Sequence, residues 1–140
     1  MTRGTGRARA RRELQALLDG SRFLRPYGFR LVSVGDGVCT LELPHRRALL
    51  RPGGIINGPA LMAAADCTMW LAIKGRFGLD YDALTSELNT AFLAPAKAGH
   101  VYCTARILKA GRRRIYGTAQ CHNRAGGLFT HHTVTYVKPD

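Results

Sequence analysis

The sequence predicts an α+β domain in which a curved antiparallel β-sheet wraps a central buried α-helix. Three observations carry that expectation. The segment after Asn57-Gly58-Pro59 reads ALMAAADCTMWLAIK, apolar on every side and broken only by Asp66, and a helix of that kind is enclosed by other structure. Before it, two alternating apolar and β-branched segments flank Gly35-Asp36-Gly37, which is a hairpin signal. After it, four strand-like segments follow in succession with short, turn-rich joints, the pattern of an antiparallel meander. Curving that sheet around the helix hides the helix on most sides.

Taken in order, the first twelve residues, MTRGTGRARARR, hold five arginines and no acid. They read as a disordered basic arm ahead of a single domain over residues 13–140. Glu13–Gly20 carries Leu14, Leu17 and Leu18 at helical spacing and stops at a glycine, so a short amphipathic helix is expected. Phe29–Val34 and Val38–Leu43 form the hairpin, and Pro44–Gly54, with Arg46, Arg47 and Arg51, is turn-like. Asn57 is a good N-cap for the apolar helix, and Pro59 suits its first turn, where a missing N–H costs nothing. A Gly- and Asp-rich loop, Gly75–Asp82, follows. The later strands are expected over Leu84–Leu93, Gly99–Lys109, Arg112–His122 and Leu128–Val137.

Composition narrows the function classes. A chain of 140 residues with 46% apolar content buries a core without staples. No apolar stretch reaches membrane-span length, because Asp66 interrupts the longest, and the arginine-rich start does not resemble a secretory signal. Cys39, Cys67, Cys103 and Cys121 are scattered with no CxxC pair, which reads as reduced core thiols in a cytoplasmic protein. The formal charge of +12 favours a polyanionic partner: nucleic acid, an anionic membrane, or a phosphate-bearing small molecule.

Asp66 is the first candidate for chemistry, because an unpaired buried carboxylate is costly. Either an arginine from a neighbouring strand or subunit pairs with it, or it serves as a nucleophile or general base in an apolar cleft. Asn57 and Gly58 open the same helix, where unpaired backbone N–H groups can bind an anion or oxyanion; a plain N-cap explains them equally well. Lys109, Gly111 and the run Arg112-Arg113-Arg114 lie at a hairpin tip, suited to phosphate or to a solvated edge. Thr85, Glu87 and Asn89 share one strand face at period two, a row that either meets water or lines a site. His131 and His132 are adjacent on a strand and point to opposite faces, and no metal or nucleotide motif is present; no cofactor is expected.

Three stretches carry a family resemblance. PGGIINGPALMAAAD (52–66), LTSELNTAFLAPAKAG (84–99) and the turn ARILKAGRR (105–113) resemble, in order and spacing, the hotdog-fold acyl-CoA thioesterases related to the phenylacetic-acid-degradation and 4-hydroxybenzoyl-CoA thioesterases. The likeness spans about residues 28 to 137. It implies hydrolysis of a medium-chain or aromatic acyl-CoA, with Asp66 as nucleophile or water-activating base and the Gly58 N–H polarising the thioester carbonyl. It implies that Thr85, from a partner subunit, orients water or the acid, and that Lys109, Gly111, Arg112, Arg113 and Arg114 hold the nucleotide part of coenzyme A. Glu87, Phe92, Met62 and Trp70 would contact substrate. The family's usual His-Gly-Gly is Asn57-Gly58-Pro59 here, so Asn57 replaces the histidine with an amide that can still donate. The resemblance further implies a homodimer at least, with a homotetramer as an extension. A non-catalytic acyl-CoA-binding protein is the alternative; nucleic-acid binding is less well supported, because the basic segments lack interleaved aromatics.

Overall fold

The computed structural model describes residues 3–97 and 99–139, with side chains from residue 9. The chain runs α1 (Arg3–Gly20), β1 (Arg30–Val34), β2 (Val38–Leu43), β3 (Leu50–Arg51), β4 (Ile55–Ile56), α2 (Gly58–Phe77), β5 (Leu84–Phe92), β6 (Val101–Ala110), β7 (Arg114–His122) and β8 (Leu128–Val137). Short 3-10 turns occupy Arg22–Leu24 and Arg47–Leu49.

α2 is the apolar helix, and its start is built as the sequence indicates. The Asn57 side chain accepts from the Ala60 N–H at 2.9 Å, and Pro59 sits in the first turn. Its core-facing residues include Leu61, Ala65, Met69, Leu71 and Ile73. They pack chiefly on β6, β2 and β7. Enclosure is incomplete: Met62, Ala63, Asp66 and Trp70 are only half-buried. These four recur at helical spacing, so one stripe of α2 stays open.

Six strands form one antiparallel sheet in the order β1-β2-β6-β7-β8-β5. The expected succession of four neighbouring strands therefore needs correcting. β6, β7 and β8 do form a meander, but β5 pairs with β8, from Leu84 opposite Val137 to Phe92 opposite Thr130. β2 occupies one side of β6 and β7 the other, so β5 cannot lie beside β6 and takes the outer edge of β8. The joint after β5 crosses the end of the sheet. On its way the buried Ala96 offers its carbonyl to the Ile56 N–H at 2.9 Å. Placed at the edge, β5 leaves Leu84, Phe92 and the adjoining Leu93 exposed.

The helix expected from Glu13 begins at Arg3 in the structure. Alanines and arginines are good helix formers, and Arg9 pairs with Glu13 one turn on, at 3.0 Å. Leu14 and Leu18 anchor this helix in the core. The four cysteines are free and buried, and desolvation pushes the Cys39 thiol up to about 12. Among the described residues, no helix is long and apolar enough to cross a membrane.

Candidate active site

Asp66 lies midway along α2, at the floor of a cleft of about 380 Å³. Its Oδ1 accepts two hydroxyl hydrogen bonds, from Thr85 at 2.7 Å and from Tyr136 at 2.8 Å. The Tyr136 hydroxyl also reaches the Asp66 carbonyl at 2.9 Å. Its described side-chain partners are both hydroxyl donors, in place of the arginine ion pair considered from sequence. Oδ2 accepts from no described residue. Burial first, and then the neighbouring Asp66 charge, push the Tyr136 phenol well above its ordinary range, so it remains a donor at every physiological pH.

Thr85 and Tyr136 reach Asp66 because they stand opposite each other on β5 and β8. Tyr136 follows His132 and Val134 along the buried face of its strand. Thr85 gets there through a β-bulge: the register shifts between Thr85 and Glu87, leaving Ser86 as the extra residue. A bulge re-aims a side chain, and here it corrects two expectations. Thr85, Glu87 and Asn89 do not share a face. Thr85 turns towards the helix, while Glu87 and Asn89 stand opposite Thr135 and Thr133 on the outer face, where the Asn89 amide donates to Glu87 at 2.8 Å. Thr85 also meets Asp66 within one chain, with no partner needed to supply it.

Three of the other predicted residues divide between two clefts. Trp70 lines the Asp66 cleft. Gly58 and Phe92 line a second one, of about 440 Å³, at the helix start. Phe92 lies so close to Gly58 that a β-carbon there would come within 3.1 Å of the ring. Met62 lines neither cleft. The Asn57 amide is engaged by the fold: its Nδ2 donates to the Leu49 carbonyl at 2.8 Å, while its oxygen caps the helix. The Gly58 N–H carries no bond to a described residue outside the helix.

Lys109 and Gly111–Arg114 form the exposed tip between β6 and β7, closed by a Gly111 N–H bond to the Arg114 carbonyl at 2.8 Å. Arg114 pairs with Val137, which pairs with Leu84. Two strand spacings, roughly 10 Å, thus separate this basic tip from the β5 end that borders the Asp66 cleft. His131 and His132 face opposite sides as expected: His132 is fully buried between Thr90 and Thr130, and His131 meets Gln120 on the outer face.

Sequence reasoning missed Tyr136. Its alternation with Val134 and His132 was the available signal, but nothing in the sequence pairs that strand with Thr85. It also missed Phe23, Leu24 and Tyr27, which form a wall of the Asp66 cleft.

Residues 53–130 match the family model of the thioesterase superfamily. A curated Thermoplasma acidophilum protein with a provisional esterase name is 28% identical over 85% of this chain and 88% of its own. Among solved structures, the conserved protein PA5202 of Pseudomonas aeruginosa superposes with a TM-score of 0.82 at 31% identity, covering 91% of this chain and 98% of its own. The PaaI protein of the E. coli phenylacetic acid degradation operon gives a TM-score of 0.84 at 16% identity, over 96% of both chains, a likeness of fold. The architecture is that of the hotdog fold.

Proposed function

The chain belongs to the thioesterase superfamily, and from that premise we propose that it hydrolyses acyl-CoA thioesters to a free acid and coenzyme A, with medium-chain or aromatic acyl groups as substrates. The observation that carries this reading is the Asp66 carboxylate, set among apolar and aromatic side chains with Oδ1 held by Thr85 and Tyr136. A carboxylate so held can take a proton from attacking water, or attack the thioester carbon itself. In the first route water adds to the carbonyl carbon as Asp66 takes its proton. The C–S bond then breaks, and the proton passes to the departing thiolate.

The developing oxyanion needs donors, and the Gly58 N–H is available. Within one chain Gly58 and Asp66 are eight residues apart on α2, roughly 12 Å along the axis, and they open into different clefts. A single thioester cannot touch both. A second copy resolves this. β5 is an edge strand with one unpaired side, and pairing it antiparallel with itself about Leu88 sets the Leu84 end of one copy against the Phe92 end of the other. The Asp66 cleft of one subunit then meets the Gly58 cleft of its partner. The homodimer is therefore the active unit, and a homotetramer would join two of them. Free buried thiols fit a reducing, cytoplasmic setting.

The direct test is thiol release from short, medium, long and aromatic acyl-CoAs. Turnover of part of that series is expected; silence across all of it overturns the assignment in favour of acyl-CoA binding without hydrolysis. For the nucleotide, the basic tip is the receptor in this proposal. The double substitution Arg112→Ala, Arg114→Ala is expected to raise KM for acyl-CoA roughly tenfold, the scale of one lost charged hydrogen bond. KM for the matching acyl-pantetheine, which has no nucleotide, should stay put. An equal rise for both substrates would place the nucleotide elsewhere.

A further inference from the structure

The Asp66 cleft has a feature that hydrolysis alone does not require. Its floor is the open stripe of α2, where Ala63, Cys67 and Trp70 flank Asp66, and one wall is the turn bearing Phe23 and Tyr27. We infer that this turn is the specificity wall for the acyl group: the acyl moiety lies over Ala63, Cys67 and Trp70, and Phe23 sets which acyl groups fit. The inference rests on the thioesterase reading above and names the part of the site that chooses the substrate.

Phe23 is 71% exposed, and a lone exposed apolar side chain is ordinary. Its setting is not. The next residue, Leu24, is buried. The Ser21 hydroxyl ties the turn to the Leu17 carbonyl at 2.7 Å, and Tyr27 stacks on the buried Phe29 with centroids 5.1 Å apart. Arg46 clamps the far side, donating from Nη1 to the carbonyls of Arg25 at 2.8 Å and Pro26 at 3.2 Å. Its guanidinium lies where a β-carbon of Gly28 would stand, and Gly28 has φ +67°, so glycine serves both the turn and the clamp. Phe23 is thus an apolar ring held at a cleft by a fixed turn, with no covering of its own.

The lining also says what the occupant is. Apart from Asp66, Thr85 and the Tyr136 hydroxyl, it is made of apolar or aromatic side chains and one buried thiol. Phosphates gain nothing there, whereas an alkyl or aryl group gains contact with Phe23, Tyr27 and Trp70. The nucleotide remains outside, and the acyl group enters.

Trp70 is the sole tryptophan of the chain, so its emission reports on this cleft alone. The full-length protein would be titrated with non-hydrolysable CoA thioethers carrying hexyl, decyl and benzyl groups, and with CoA itself, by tryptophan fluorescence and calorimetry in parallel. The thioethers are expected to shift Trp70 emission, and CoA to bind without shifting it. Phe23→Ala, at an exposed position, should weaken the best thioether about tenfold, the scale of one lost apolar contact, and change the order of the series while CoA affinity holds. Thioethers that bind without moving Trp70 emission overturn the inference and leave the thioesterase reading standing. So does a Phe23→Ala protein that binds the whole series as wild type does. If neither thioethers nor CoA bind, the thioesterase reading itself fails, and the specificity wall with it.

Discussion

Asp66→Asn is expected to lower kcat by roughly 10²–10⁴, the range for a lost general base, while the folded protein is nearly unchanged. Asparagine keeps an oxygen that can accept from Thr85 and Tyr136, which bond the carboxylate at 2.7 and 2.8 Å, so no hydroxyl is orphaned. Only the capacity to take a proton or attack carbon is removed. Asp66→Ala is a poorer experiment, since it deprives the Thr85 hydroxyl of its acceptor and mixes a stability loss of about 1–3 kcal/mol with any catalytic one. The checks are thiol release and thermal melting side by side. For Asp66→Asn the melting temperature should move by less than about 4 °C, the scale of 1 kcal/mol in a chain of this size. Activity within tenfold of wild type would remove Asp66 from the chemistry and leave it a structural acceptor for two hydroxyls.

Gly58 offers the second large effect, through two substitutions that differ in one group. Gly58→Ala and Gly58→Pro both add a β-carbon towards Phe92, at a contact of 3.1 Å that the exposed ring can relieve by shifting. Only proline removes the N–H. Both variants also set a β-carbon before Pro59, which disfavours the helical conformation there, a cost the pair shares. The lost donor itself is not used by the first turn, and Asn57 already has the extended conformation (φ −64°, ψ 146°) that a residue before proline adopts. Loss of an oxyanion donor costs about 10²–10³ in kcat. Gly58→Pro should therefore fall by that factor relative to Gly58→Ala, with the dimer intact by sedimentation. Equal activity of the two variants would show that the N–H is not the oxyanion donor, whatever the fate of Asp66.

Much of this molecule is legible along the chain. The apolar run with one acid marks α2 as enclosed, and the cap at Asn57 marks its start to the residue. Strand periodicity places β1, β2 and β5 to β8 within two residues of where they lie. These are local properties: side-chain alternation, turn chemistry and helix capping act between neighbours in sequence. The candidate acid was legible for a related reason, because one carboxylate in an apolar helix is a conflict that needs a resolution.

Which groups resolve that conflict is a different kind of fact. A bulge at Ser86 turns Thr85 towards the helix and Glu87 away from it, and strict alternation along the strand predicts the opposite grouping. Tyr136 reaches Asp66 because β5 pairs with β8 across the 50 residues that lie between Thr85 and Tyr136, a choice of partner that no joint length dictates. The same pairing puts β5 at the edge and separates the Gly58 cleft from the Asp66 cleft. Strand limits, the start of α2 and the isolated acid were thus determined by the sequence alone, since each depends on interactions within a few residues. The partners of Asp66, the face taken by Glu87 and the wall built by Phe23 were decided by the tertiary structure, because they depend on contacts between segments far apart in the chain: β5 on the outer edge of β8 with its bulge, and the turn after α1 against α2.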